Sequence, residues 1–198
     1  MNRTTLIAGL AMTFAFTSLH AKPFKHPFGE LREYNDAWLS VCPEKYNPES
    51  TTKFFYETHC WAVVESAAEK NSVDYPYYSL RIYRDRRDGT ITIGFTHAPN
   101  EPETLDVTRP MVVTIDGKKR LEIPFGEGWE RSEMVLNEYL LRDSEGQREF
   151  LDELRNGAFM AIDIPLIRGE TSLYHMVPYS LHGVRASEKF MKEYASPR

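Results

Sequence analysis

The chain has 198 residues, of which 41% are hydrophobic and 13% aromatic, so it can bury a core of its own and is not an intrinsically disordered protein. Its formal net charge is -5 at neutral pH. A mildly acidic chain lacks the broad positive field that holds nucleic acid by its phosphates, so nucleic acid is not an expected partner.

Residues 1–21 have the pattern of a secretory signal peptide. Arg3 precedes an apolar run from Leu6 to Phe16, and the small residue Ala21 stands at the expected cleavage point. The run is shorter than the roughly 20 apolar residues that a retained membrane anchor needs, and no later stretch is apolar enough to span a bilayer. We therefore expect a cleaved leader and a mature bacterial protein that is periplasmic or secreted, with no transmembrane span.

The segment after the leader, residues 22–35, contains Pro23, Pro27 and Gly29 and shows no hydrophobic period. This composition predicts an extended N-terminal arm. Residues 36–198 are then expected to form a single domain.

Each of the first two predicted strands contains one cysteine. In DAWLSVC, Trp38, Ser40 and Cys42 alternate with apolar residues, which predicts a strand covered on both faces, and FFYETHCWAVVES follows with high β propensity. If Cys42 lies opposite Cys60 in an antiparallel pair, Ser40 lies opposite Ala62. A single register therefore brings the two thiols together and also pairs the rest of the tryptophan strand. Two cysteines in an exported chain predict one disulfide. The alternatives are a metal pair or a reactive thiol, but the sequence offers no four-ligand set and no CxxC motif.

A hairpin is predicted in the middle of the chain. The stretches 78–82 and 91–95 each alternate apolar and polar residues, which is typical of strands with one buried face. We expect Ile82 to lie opposite Ile91, with a four-residue loop at 85–88 between the strands.

A further hairpin is predicted in MVVTIDGKKRLEIPF. The dipeptide Asp116-Gly117 is typical of a two-residue turn. A three-residue connection, however, pairs Val113 with Leu121 and keeps the apolar residues on one face. Since a slip of one residue turns every side chain over, we predict the three-residue connection.

The clearest helix is predicted at about 144–156. Ser144 followed by Gln147 is typical of a capping box, and Gly157 favours the end of the helix. A second helix is expected over 184–194. Because the other segments favour strands that do not alternate with helices, the fold class is mainly β: an antiparallel β-sandwich or partly open barrel with these two helices.

The sequence carries little sign of reaction chemistry. No GxSxG motif, glycine-rich phosphate loop or pair of catalytic carboxylates is evident, so we predict no catalytic residue, no cofactor and no metal site. An enzyme resembling a hydrolase, with a site assembled from dispersed strand residues, is the alternative and requires a histidine that meets a carboxylate in a pocket. Five histidines remain after the leader, none at HxH or HxxxH spacing: His26, His59, His97, His175 and His182.

Three arginines crowd the tip of the central hairpin: Arg84, Arg86 and Arg87. Such a cluster could bind an acidic partner or a lipid head group. The simpler interpretation is a solvated strand end that resists aggregation.

The order of several short motifs resembles the invasion-associated locus B family of exported bacterial proteins. These motifs are DAWLSVC, THCWAVVES, the basic hairpin, RPMVVTIDGK, FLDELRNG and YSLHG, and they span most of residues 36–195. Many members of that family carry a second cysteine pair, whereas this chain has EGWERSEMVLNEYLL without cysteine in the corresponding region, so it resembles a divergent member.

The resemblance implies an antiparallel β-sandwich in the periplasm or at the outer membrane, with a role in envelope function or host-cell entry. The family supplies no catalytic residues to carry over. The sequence therefore favours a non-enzymatic binding or interaction protein whose partner is an envelope or host protein.

Overall fold

The computed structural model describes residues 22–49, 55–66, 77–98, 103–133, 135, 137–142 and 145–195. The predicted leader, residues 1–21, lies outside these ranges. Three helices are formed within them: α1 (Phe55–Thr58), α2 (Glu145–Asn156) and α3 (Val184–Ala195). The strands are β1 (Phe24–His26), β2 (Glu30–Asn35), β3 (Trp38–Pro43), β4 (His59–Glu65), β5 (Tyr77–Asp85), β6 (Ile91–Ala98), β7 (Glu103–Leu105), β8 (Met111–Ile115), β9 (Lys119–Ile123), β10 (Trp129–Arg131), β11 (Glu138–Leu141), β12 (Phe159–Arg168) and β13 (Thr171–Ser180).

Two antiparallel sheets enclose the core. The large sheet has the strand order β1-β2-β3-β4-β5-β6-β11-β10, and the small sheet has the order β13-β12-β8-β9 with β7 also paired to β12. Apolar residues from the inner faces of both sheets and from α2 and α3 form one buried cluster. The predicted fold class is confirmed: the protein is mainly β, antiparallel and sandwich-like, and its sheets do not close into a barrel.

The inner face of the large sheet is covered partly by the small sheet and partly by α3, which packs on β2 to β5. Val184, Phe190 and Met191 are buried on α3, as the predicted closing helix requires. The segment 22–35, predicted as an extended arm, is paired as β1 and β2 and continues the large sheet beyond β3.

The register predicted for the cysteine strands is confirmed. Ser40 lies opposite Ala62, and a disulfide joins Cys42 to Cys60 with their Cα atoms 4.3 Å apart. The second of these strands starts at His59, later than its β propensity predicts, because Phe55–Thr58 forms one helical turn. The disulfide therefore crosslinks β3 to β4, two interior strands of the large sheet, near the end of β3 and the start of β4.

The register predicted for the central hairpin is wrong by two residues, although the buried face is correct. Ile82 lies opposite Ile93, and the loop spans residues 86–89. Gly89 has a φ of 81° and donates its N–H to the carbonyl of Asp85 at 2.9 Å. Because only a residue inside the turn needs this left-handed conformation, Gly89 belongs to the loop. The loop therefore lies one residue further along the chain than predicted, and Asp85 joins β5, where its N–H donates to the carbonyl of Thr90.

The second predicted hairpin is confirmed. Val113 lies opposite Leu121, with residues 116–118 as the three-residue connection. Asp116 and Gly117 both have positive φ, which suits that connection. The carboxylate of Asp116 also accepts the N–H of Phe159 at 2.9 Å, so the connection is tied to the start of β12.

Helix α2 runs close to its predicted bounds, but the side chain of Gln147 contacts a neighbouring strand. Ser144 lies outside the described residues, and the amide of Gln147 donates to the carbonyl of Ile91 at 2.8 Å, which anchors α2 to β6. At the other end, a Cβ at Gly157 would lie 2.7 Å from a methyl group of Leu181. Gly157 therefore permits a close approach of the helix end to the small sheet.

The two sheets and α3 meet at Trp38 and Gly183. Trp38 is fully buried on β3, and its indole N–H donates to the carbonyl of Ser180 at 3.1 Å. Gly183 has a φ of 106°, and a Cβ there would overlap the backbone carbonyl of Asn35. Only glycine can occupy this position without displacing the chain between β2 and β3.

We predict that Gly183→Ala lowers the free energy of unfolding by about 2–5 kcal/mol, because left-handed strain adds to a backbone overlap. The matched control is Gly169→Ala, at a φ of 61° with no heavy atom within 4 Å of the added carbon. The control has the conformational cost alone, about 1–2 kcal/mol. Urea unfolding of both variants checks this, and equal losses would contradict the role of the Asn35 contact.

Candidate functional site

The tip of the central hairpin is held by a carboxylate. Asp85 accepts the backbone N–H of Arg87 at 2.7 Å, and the Arg87 guanidinium also donates to it, from Nε to Oδ1 at 3.0 Å. Burial opposes ionisation of Asp85, but these hydrogen bonds and the nearby His59 outweigh it and hold the pKa of Asp85 below its ordinary value. Arg87 therefore serves the turn, because the local chain directs its side chain back onto Asp85.

Arg86 points the other way, into the protein. Its side chain spans β3 and α3: Nε donates to the carbonyl of Ala195 at 3.0 Å, and Nη1 donates to the carbonyls of Pro43 and Lys45 at 3.0 Å each. Its guanidinium also lies 4.8 Å from the ring centroid of Tyr46. Arg86 is only 9% exposed, and burial lowers its pKa from the ordinary value. It remains a cation, since arginine stays protonated in proteins.

No carboxylate of the described residues forms an ion pair with Arg86, which is unusual for a buried charge. The three carbonyls solvate its guanidinium in part, and the negative end of α3 adds to that effect. Its Nη2 group donates no hydrogen bond within the described part of the chain. Arg86 is therefore a nearly buried cation whose Nη2 group can still donate hydrogen bonds to a ligand.

A cleft of about 270 Å³ opens beside Arg86. Its polar rim is formed by Lys25 and Glu44, whose side chains form an ion pair at 2.7 Å. The remaining wall is apolar or aromatic and comprises Leu31, Cys42, Pro43 and Tyr194. The cleft thus combines two cations, one carboxylate and an apolar wall, and we call it the Arg86 cleft.

The structure separates the three arginines that the sequence groups together. Arg86 lines the cleft, Arg87 is held on Asp85, and the guanidinium of Arg84 lies over Gly89, where an added Cβ would be 2.7 Å from its Nη2. Sequence reasoning missed Lys25 and Tyr194 because they reach the cleft from opposite ends of the chain. The acidic-partner function of the arginine cluster remains a prediction.

Two of the predicted histidines lie near a carboxylate, as the enzyme alternative requires. His26 Nδ1 is 4.0 Å from Glu30 Oε2 at the edge of the large sheet, and His59 is the nearer to its partner. His59 Nε2 lies 3.6 Å from Asp85 Oδ2, and its Nδ1 is 2.8 Å from the hydroxyl of Thr58. Thr58, however, is only 3% exposed, and Arg87 already holds the Asp85 carboxylate. The arrangement is therefore suited to fixing the junction of α1 and β4 against the hairpin tip.

Two other histidines lie at the far end of the core. The rings of His97 and His175 both pack against Tyr78, with centroids 5.2 and 5.4 Å from the centroid of its ring. This stack joins β5 and β6 to β13 across the two sheets. In the part of the chain that the structure describes, no group of three or more potential ligands could hold a metal ion.

A buried acidic pair lies on the outer side of the large sheet. The Tyr83 hydroxyl donates to Glu138 Oε1 at 2.5 Å, and Arg81 Nη1 lies 3.5 Å from the same oxygen. Burial raises the pKa of Glu138 above its ordinary value, although the hydrogen bond from Tyr83 and the charge of Arg81 oppose this. A side chain at Gly94 would collide with both Tyr83 and Glu138, so glycine leaves the space for the pair. The pair fixes β11 to β5 across β6.

The fold is similar to the crystal structure of invasion associated protein B from Bartonella henselae, with a TM-score of 0.52. The sequences are 14% identical, and the match covers 82% of this chain and 96% of that chain. At this identity the likeness shows the fold alone. No protein-family model and no curated protein matches the sequence. Among the described residues, no helix has the length and apolar character to cross a membrane.

We predict that Asp85→Asn weakens the hairpin tip and removes part of the acid sensitivity of the fold. Since the folded-state pKa of Asp85 is depressed, its stabilisation is present above the ordinary aspartate pKa of about 4 and is lost as the pH falls through the folded-state value. We expect a loss of about 1–2 kcal/mol at neutral pH that shrinks in acid.

Urea unfolding at several pH values measures this effect. Asp152→Asn is the matched control, because Asp152 is 64% exposed and its ion pair with Arg155 lies on the surface. An Asp85→Asn loss that is the same at every pH would contradict the assignment.

Proposed function

We propose that this chain is an exported binding protein, periplasmic or associated with the outer membrane, whose Arg86 cleft receives an acidic group of an envelope or host-cell component. The export part is supported by the leader pattern of residues 1–21 and by the disulfide between Cys42 and Cys60. The similarity to invasion associated protein B supports the class of protein at the level of the fold. A role in envelope function or host-cell entry follows from the same resemblance.

The observation that carries the binding part is the unpaired charge of Arg86. A cation that is 9% exposed ordinarily has an acidic partner, and Arg86 has backbone carbonyls instead. An anion in the cleft would supply the missing counter-charge. Lys25 could contribute as well, because its ion pair with Glu44 is solvent-exposed and therefore weak.

The cleft also limits the size and charge of the ligand. A volume of about 270 Å³ with an apolar wall fits a small apolar group that carries the acid. Glu44 stands on the rim and repels a second negative charge. The ligand chemistry that fits best is therefore a single carboxylate on a small apolar body, such as the acidic end of a larger component.

A hydrolase is the second candidate, and the His59–Asp85 distance of 3.6 Å is the observation that favours it. It requires the buried Thr58 hydroxyl, or a water beside His59, to reach a substrate. Ester hydrolysis that disappears in a folded His59→Ala variant would replace the binding proposal with this one.

We predict that benzoate binds in the Arg86 cleft and that benzamide, which has nearly the same shape without the charge, does not. Titration followed by amide NMR should shift the signals of Leu31, Glu44 and Tyr194 with benzoate alone. Added salt should weaken the binding, because the interaction is electrostatic.

The matched variants are Lys25→Gln, which removes a cation from the cleft, and Lys118→Gln, which removes one from the exposed β8–β9 connection. Lys25→Gln should weaken benzoate binding by roughly threefold or more, and Lys118→Gln should leave it unchanged. Equal shifts with benzamide, or none with benzoate, would contradict the proposal.

We predict that the protein recovered from the periplasmic fraction of a bacterial host begins at Lys22 and contains no free thiol. Intact mass, measured after alkylation with and without reductant, checks both points at once, since only reduced Cys42 and Cys60 take up the alkyl groups. A full-length chain in the cytoplasmic fraction, or alkylation without reductant, would contradict export with an oxidised disulfide.

A further inference from the structure

Strand β13 differs from every other strand that ends a sheet in the described structure. The others, β1, β7, β9 and β10, have three to five residues and each contains a charged residue. Strand β13 has ten residues, TSLYHMVPYS, and contains no aspartate, glutamate, lysine or arginine. Natural proteins ordinarily protect sheet edges by short strands, charge or proline. Only Pro178 protects β13, near its C-terminal end.

The backbone groups that β13 turns away from β12 can be identified. Within an antiparallel strand, the N–H and C=O of one residue point to the same side, and the side alternates along the chain. Pro165 directs its carbonyl to Asp106, on the side of β12 opposite β13, and it lies across from Tyr174. The N–H and C=O of Tyr174 therefore point away from β12, as do those of Ser172 and Met176.

The outward direction is consistent at both ends of the strand. Phe159, which has the same parity as Pro165, directs its carbonyl to Asp116 on the β8 side. The carbonyl of Ser180, which has the parity of Tyr174, meets the Trp38 indole. Trp38 thus covers the C-terminal end of the edge, and the portion without a described partner strand is Ser172 to Met176.

Two large side chains of this portion are exposed to solvent. Met176 is 61% exposed and Tyr174 is 38% exposed. Arg109 stacks 4.0 Å above the Tyr174 ring and donates to Ser172 Oγ at 2.8 Å. Ser172 in turn donates to the carboxylate of Asp106 at 2.6 Å, so the nearest cation is balanced by an acid. At Ser172, Tyr174 and Met176 the edge therefore presents uncharged side chains together with backbone groups that point away from β12.

We propose that the β13 edge binds a second copy of this chain, with two β13 strands pairing antiparallel about a two-fold axis at Tyr174. A two-fold interface places a strand against itself, so any charge near the axis would face its own copy and repel it. Strand β13 itself contains no charged residue, and the Arg109 guanidinium over Tyr174 has the Asp106 carboxylate beside it, linked through Ser172, so the edge is suited to this arrangement. The inference is independent of the Arg86 cleft.

The outward parity fixes the register of the pair. Tyr174 lies opposite Tyr174 of the second copy, and Ser172 lies opposite Met176 of the second copy. By symmetry Met176 also lies opposite Ser172 of the second copy. These three residue pairs provide about six backbone hydrogen bonds, since each uses outward-pointing groups on both strands. Pro178, which has no N–H to donate, falls outside the paired portion. The two small sheets then form one continuous sheet across the dimer.

Sedimentation velocity of the full mature chain, from about 1 µM to about 1 mM, tests the proposal, because edge pairing of this size gives a dimer in that range of dissociation constants. We expect the mass to rise from monomer to dimer with concentration. Tyr174→Lys and Tyr174→Asp should each remain monomeric, because each places like charges opposite one another at the axis. An equimolar mixture of these two variants should form a dimer again.

Phe159→Lys is the matched control, since it adds a charge to an exposed position of the same sheet face, opposite Ser180 and away from the axis. It should dimerise as the wild type does. A wild type that stays monomeric throughout would overturn the proposal, as would a dimer that both Tyr174 variants retain. If the Tyr174 variants fail to fold, Met176→Pro removes one outward N–H without touching the β12 ladder, and it should raise the dissociation constant by roughly tenfold.

Discussion

The contact between Trp38 and the chain around Gly183 is the constraint on which the rest of the structure depends. Trp38 is a large side chain with no exposure, and its one polar atom is satisfied by the Ser180 carbonyl. The small sheet ends and α3 begins at this point, and Gly183 lets the backbone pass against Asn35. One indole thus fixes how both covering layers meet the large sheet.

The same helix carries this constraint to the candidate site. From Gly183, α3 crosses the inner face of the large sheet and ends at Ala195, whose carbonyl receives a hydrogen bond from Arg86. Arg86 also holds Pro43 at the end of β3, so the Arg86 cleft forms where the helix end, the hairpin tip and β3 converge. The shape of the cleft therefore follows from the way the two sheets and α3 pack together. That packing does not require a buried charge without an acidic partner, and this is the feature that distinguishes Arg86.

Two other ionisable groups with shifted pKa values, Glu138 and Asp85, do not line the Arg86 cleft. The carboxylate of Glu138 accepts a hydrogen bond from Tyr83 on the outer side of the large sheet. The carboxylate of Asp85 accepts hydrogen bonds from Arg87 in the turn. The first contact joins β11 to β5 across β6, and the second holds the turn of the central hairpin. A shifted pKa in this fold therefore marks polar crosslinks as well as a candidate binding position, and the cleft is what separates Arg86 from the others.

The sequence by itself determined the elements whose information is local. Alternation fixed the buried faces of both hairpins, the cysteine spacing fixed the β3–β4 register, and the apolar stripe with Gly157 fixed the end of α2. Only the tertiary structure decided the register of the central hairpin. A shift of two residues keeps the same side chains on the buried face, so alternation does not distinguish the two registers, and the position of Gly89 in the turn selects one of them. It also decided the Arg86 cleft, since Lys25, Arg86 and Tyr194 are far apart in sequence and meet only when α3 closes over the sheet. Local patterns encode which side of a strand is buried, whereas the meeting of distant side chains depends on how the layers pack.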